Sequence, residues 1–106
     1  MEPVFEVDAG AVNGEVLVRF VGELDIAAIG DAHDGVVGVL DQNPNGPLIV
    51  DLEGLTFCDS SGIRELLVLQ RLANARGREM VLRHVLPNVT RVLEVVGLSD
   101  AFTIEE

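Results

Sequence analysis

Four consecutive residues, Asp59-Ser60-Ser61-Gly62, hold the side chains best suited to chemistry in this chain. They follow the apolar run Leu48-Ile49-Val50 after a short connection. They precede a segment with Ile63, Leu66, Leu67, Gln70 and Ala73 at helical spacing. The serines are therefore expected at a helix N-terminus. The first N–H groups of a helix lack partners within it, and the macrodipole adds partial positive charge there. A phosphate on one of these serines would be received by those N–H groups and stay exposed. Gly62 has no side chain to obstruct a partner approaching Ser61. The site suits a reversible charge switch. Asp and Ser before a helix are equally ordinary capping residues, and the local sequence leaves both readings open.

Other chemistries lack essential parts. A serine hydrolase needs a positioned base and an oxyanion hole. The pattern Gly-x-Ser-x-Gly is absent around Ser60 and Ser61. His33 falls on a predicted helix and His84 at the end of a predicted strand, both read as surface or boundary residues. Cys58 reads as a lone, semi-buried cysteine. No His/Cys cluster has metal-ligand spacing. Asp51, Glu53 and Asp59 offer carboxylates to a cation, but nothing in the sequence fixes a coordination geometry. No phosphate-binding glycine loop occurs. Thus no catalytic residue, metal or cofactor is expected. Arg64 and Arg71 lie seven apart on one helix face as solvated charges. Arg64 is one turn from Ser61, within reach of a partner or of a phosphate.

The elements that must position these residues follow from spacing. Val4, Phe5 and Val7 predict a first strand, Val12-Asn13-Gly14-Glu15 a hairpin turn, and Val16 to Val21 a second strand. Ile26 to Leu40 carries Ile29, Ala32, Val36 and Leu40 at helical spacing, diluted by Gly30, Gly35 and Gly38. Asp41 to Pro47 is a loop, and Leu48 to Val50 fits a central strand buried on both faces. After the Ser61 helix, closed by Gly77, come a strand over Glu79 to Arg83 and a helix opened by Pro87. Val89, Val92, Leu93 and Val96 are expected to form its buried stripe. Phe102 to Ile104 closes the chain as an edge strand. The order β-β-α-β-α-β-α-β predicts an α/β fold around a mixed sheet.

Asp59-Ser60-Ser61-Gly62-Ile63 after an apolar strand resembles the signature of STAS domains, specifically of anti-sigma factor antagonists. Gly22-Glu23-Leu24-Asp25 resembles that family's second signature, and Pro87 to Leu98 and Phe102-Thr103-Ile104 are similar to its closing helix and segment. The likeness implies a single STAS domain over residues 1–106, with a mixed, mostly parallel central sheet packed by helices. It implies phosphorylation at Ser61 by an anti-sigma factor that is also a serine kinase of GHKL ATPase fold. A PP2C-type phosphatase would reverse the modification. The unmodified form would bind the kinase and release a sigma factor. Asp25 would help shape the docking surface, or simply cap the first helix. Asp59, Ser60, Gly62 and Arg64 would flank the acceptor. The alternative is a STAS module of another assembly, such as a lipid-transport or stress-signalling complex, not regulated at Ser61.

Composition agrees with a regulator. Eighteen acidic residues against seven basic ones, all arginine, give a net charge of −11. Such a surface repels phosphate backbones and anionic lipid, so neither nucleic acid nor membrane is an expected partner. One cysteine permits no internal disulfide, which fits a reducing cytoplasm. The first ten residues do not read as a signal peptide. With no evident large apolar patch, a monomer is expected.

Overall fold

The computed structural model describes residues 4–105; the two ends of the expected 1–106 unit lie outside the described residues. Strand β1 (Phe5–Val12) turns through Asn13 and Gly14 into β2 (Glu15–Leu24). Both turn residues have positive φ, +52° and +80°. This is the backbone that matches a two-residue turn to strand twist, and Val12 pairs directly with Glu15. A 3₁₀ turn (Ile26–Ala28) leads into α1 (Ile29–Gln42). Then follow β3 (Leu48–Asp51), β4 (Leu55–Cys58), α2 (Ser60–Ala75), β5 (Met80–Arg83), α3 (Pro87–Val95) and β6 (Thr103–Ile104).

The sheet runs β1-β2-β3-β5-β6, with β4 also paired to β2. Among the described residues only β1 and β2 pair antiparallel; the pairs β2–β3, β2–β4, β3–β5 and β5–β6 are parallel. The long β2 serves two partners in turn. Val16 to Arg19 pair with β3, and Gly22 to Leu24 pair with β4 after a register shift. Gly22, at φ +102°, lies against Val4 O, where a Cβ would stand 2.1 Å away. Period-two alternation turns Val16, Val18 and Phe20 inward and leaves Arg19 and Val21 exposed. They meet Ala32, Val36 and Leu40 of α1, Leu66 and Leu69 of α2, and Leu82 of β5 in one core. All four residues of β3 are buried, as its continuous apolar run predicts. No helix among the described residues is long and apolar enough to cross a membrane.

Three features differ from the expectation. Strand β4 occupies what the sequence predicts as a short connection between Leu52 and Asp59. Its four residues bury only Leu55 and Cys58, too short a segment to display a period. The first helix starts as a 3₁₀ turn and runs on to Gln42. Val96 is no part of a buried stripe: α3 stops at Val95, Gly97 adopts φ +75°, and Val95 and Val96 are exposed while Val89 and Leu93 are buried.

Candidate functional site

The loop-free step from β4 into α2 builds the site. Asp59 is the N-cap, with extended backbone (φ −100°, ψ −171°). Its Oδ1 accepts from Ser61 N–H at 3.0 Å, from Gly62 N–H at 3.1 Å and from the Ser61 hydroxyl at 2.5 Å. The expectation that free N–H groups await a phosphate is therefore not met in the unmodified chain. The Asp59 carboxylate already holds two of them and the hydroxyl besides. The hydrogen bond from Ser61, aided by the two backbone donors, holds the Asp59 carboxyl below its ordinary value near 3.8.

A depressed carboxyl pKa contributes stability that is present above the unfolded value and lost as pH falls through the folded one. Asp59→Ala is expected to cost about 1 kcal/mol at neutral pH, a difference that shrinks below pH 4. Asp59→Asn, still a good cap, should keep much of the stability while flattening the acid limb. Urea titrations at several pH values check this, and an Asp59→Ala penalty that does not diminish as pH falls below the ordinary carboxyl value would contradict it.

Leu24 at the end of β2 pairs with Cys58. Gly62 is buried against that pair: a Cβ there would stand 2.4 Å from Leu24 O and 2.8 Å from Cys58 Sγ. The chain leaving β2, into which Asp25 leads, is thus held against the first turn of α2 at Gly62. The Asp25 Oδ1 accepts from Ala27 N–H at 3.0 Å, so Asp25 does cap the 3₁₀ turn. Ser60 is exposed, Ser61 half-buried and Gly62 buried. Arg64 is exposed and forms no ion pair among the described residues.

Sequence reasoning missed three neighbours. Ile26 is 78 % exposed and Phe57 45 % exposed, one directly after Asp25 and the other two residues before Asp59. An apolar residue on an outward position is the signal, but it shows only once β4 is known to be a strand. The third is Glu65, one turn beyond Ser61. It is buried at the α1–α2 seam, 3.8 Å from His33 Nδ1, with Oε2 unpartnered. Burial pushes its carboxyl pKa up, against the pull of His33.

Cys58 is buried, and burial, with the Asp59 charge beside it, pushes its thiol up to about 12. Thiol alkylation requires the thiolate. The native chain should therefore react with iodoacetamide at pH 8 roughly a thousandfold more slowly than an ordinary thiol of pKa about 8.5. Full reactivity is expected in denaturant; equal rates in both states would contradict the burial.

A family model described as "Mlab, STAS domain" matches residues 7–105. The chain is 32 % identical over 86 residues to the anti-sigma F factor antagonist of Paenibacillus polymyxa, covering 81 % of this chain and 74 % of the relative. Its fold is similar to the anti-sigma factor antagonist SpoIIAA in its unphosphorylated form. The TM-score is 0.74 at 26 % identity, over 95 % of this chain and 89 % of that one. It also shares its fold with an anti-sigma factor antagonist from Mycobacterium paratuberculosis, with a TM-score of 0.80 at 20 % identity over 94 % and 84 % of the two chains.

Proposed function

The chain belongs to the STAS domain family, and from that premise we propose that it is an anti-sigma factor antagonist switched by phosphorylation at Ser61. The observation that carries this reading is the Ser61 hydroxyl, half-buried at the head of α2 and held by Asp59 Oδ1. Curated relatives named as anti-sigma factor antagonists support it. In the unmodified state, Asp25, Asp59, Ser60 and Arg64 would meet an anti-sigma factor that is also a serine kinase of GHKL ATPase fold, while Gly62, expected there as well, is buried behind them against Leu24 and Cys58. The sigma factor held by that kinase is then released.

In the switching step, Ser61 Oγ attacks the γ-phosphorus of the nucleoside triphosphate held by the kinase. The Oγ–P bond forms, the P–O bond to the β-phosphate breaks, and the hydroxyl proton leaves to solvent or a kinase base. The nucleoside diphosphate departs. A PP2C-type phosphatase hydrolyses the phosphoserine with water, returning serine and inorganic phosphate. This chain supplies the acceptor and its orientation, and the kinase and phosphatase supply the catalysis. The whole of residues 1–106 acts as one STAS unit, in the cytoplasm and as a monomer.

The test is affinity capture from the host lysate, with wild-type and Ser61→Asp baits side by side and mass-spectrometric identification. A GHKL-type kinase held by the wild type and absent from the aspartate bait is the expected result. If both baits hold the same components of a transport or stress-signalling assembly, the chain is a STAS module of that assembly and Ser61 is not its switch.

A further inference from the structure

Away from Ser61, three side chains from two segments converge at the carboxyl end of the sheet. Asp51 closes β3, Glu53 lies two residues on, and His84 directly follows β5. Parallel pairing puts Asp51 opposite Arg83, and so brings His84 beside it. His84 Nδ1 stands 3.2 Å from each Asp51 carboxylate oxygen and 3.2 Å from Glu53 Oε2. One ligand atom from each residue lies within 4.8 Å of the other two. A cation bonded to imidazole nitrogen and carboxylate oxygen at about 2.0–2.2 Å sets neighbouring ligand atoms roughly 2.8–3.6 Å apart, for angles between octahedral and tetrahedral. Both 3.2 Å spacings fall inside that range.

A separate observation concerns Asp51 itself. Its side chain is only 5 % exposed, and among the described residues the groups of cationic type that face it are the His84 imidazole at 3.2 Å and the Arg19 guanidinium. The Glu53 N–H donates to Oδ1 at 2.9 Å. The nearest permanent charge, Arg19 Nε, stands off at 4.0 Å on a half-exposed side chain. A buried carboxylate calls for a close counter-charge. Glu53 and His84 are both exposed and open the group to solvent, and the carboxyl ends of parallel strands are where open α/β sheets gather ligands.

We propose that Asp51, Glu53 and His84 form a binding site for a divalent transition-metal ion, with Zn²⁺ or Mn²⁺ as the fitting class. Two carboxylates neutralise the ion, and the imidazole favours it over Mg²⁺ or Ca²⁺, which prefer all-oxygen sets. Asp51 is the fixed floor of the site, while Glu53 and His84 close on it from the open side. Three protein ligands leave positions for water. Arg19 opposes the ion and limits its affinity. The site is independent of the Ser61 switch, because none of its ligands belongs to the Asp59–Gly62 group.

The test titrates ZnCl₂, MnCl₂ and MgCl₂ separately into the metal-stripped full chain by calorimetry. Mn²⁺ broadening of backbone amide resonances then locates the ion. The variants are Glu53→Gln, at an exposed position, and His84→Asn, because asparagine tolerates the left-handed φ of +55° found at His84. One Zn²⁺ per chain is expected, weakened at least about tenfold by either variant, with broadening centred on residues 51–53 and 84. Three results would overturn the proposal: no binding of Zn²⁺ or Mn²⁺ at millimolar concentration, unchanged binding in both variants, or Mg²⁺ bound as tightly as Zn²⁺.

Discussion

Gly62→Ala is expected to destabilise the chain by about 2–4 kcal/mol, although helix propensity alone predicts the opposite sign. Gly62 lies within the first turn of α2, where replacing glycine by alanine ordinarily gains roughly 1 kcal/mol. Here the added Cβ would stand 2.4 Å from Leu24 O, 2.8 Å from Cys58 Sγ and 3.0 Å from Leu24 Cγ. The nearest of these is a backbone carbonyl fixed by the β2–β4 pairing, so it cannot rotate away as a side-chain tip would. Either α2 lifts from the sheet or the β2–β4 ladder opens, and both displace Asp59 from its three donors. Gly30 and Gly38 of α1 provide the contrast. A Cβ at either meets nothing within 4 Å, and neither has a positive φ. Gly30→Ala and Gly38→Ala should each raise stability by about 0.5–1 kcal/mol. Urea unfolding midpoints at constant slope decide the matter. A Gly62→Ala variant as stable as the parent would mean that the close approach at Leu24 does not constrain this fold.

The glycines also show why some of this site was legible and some was not. The capping chemistry of Asp59 and the helix after it could be read from residue types and spacing alone. Both are local, and Ile63, Leu66 and Ala73 repeat their pattern over several turns. The Asn13-Gly14 turn was legible for the same reason, because its backbone demands are met within two residues. Strand β4 was not. Its pairing partner lies more than thirty residues back on β2, and four residues with buried ends and an exposed middle resemble a loop. Without β4 there was no reason to see that Phe57 is an exposed apolar residue on a strand, or that Gly62 is packed against Leu24 rather than merely left open for a partner. In the sequence, Asp51, Glu53 and Asp59 are three carboxylates open to a cation with no coordination geometry fixed and no metal expected. The fold replaces Asp59 by His84, because parallel β3–β5 pairing, which no local pattern encodes, sets the end of one strand beside the end of the other. The sequence carried the chemistry of each residue, and the long-range pairings chose its neighbours.

Negative charge at Ser61 should weaken binding to the anti-sigma kinase proposed as its partner by at least about 100-fold, whereas Ser61→Ala should change it less than about fivefold. The unmodified hydroxyl donates to Asp59 Oδ1. A phosphoryl group removes that donor and sets about −1.5 to −2 charges beside a carboxylate already held in its ionised form. Both anions then compete for the N–H groups of Ser61 and Gly62. Like charges forced together cost several kcal/mol, and each 1.4 kcal/mol is tenfold in affinity. The penalty can act in two ways: the new charge repels the partner directly, or it evicts Asp59 and disturbs the first turn of α2 that the partner reads. A double-mutant cycle separates them. Asp59→Asn retains a capping side chain without its charge. If eviction dominates, Ser61→Asp should lose much of its effect on kinase affinity in the Asp59→Asn background. If direct repulsion dominates, the two effects should add. The geometry favours eviction, since the 2.5 Å contact with Asp59 lies within this chain and is lost whether or not a partner is present. Calorimetric affinities for the four proteins measure the coupling. A Ser61→Asp chain that binds the kinase as tightly as the parent would remove Ser61 as the switch.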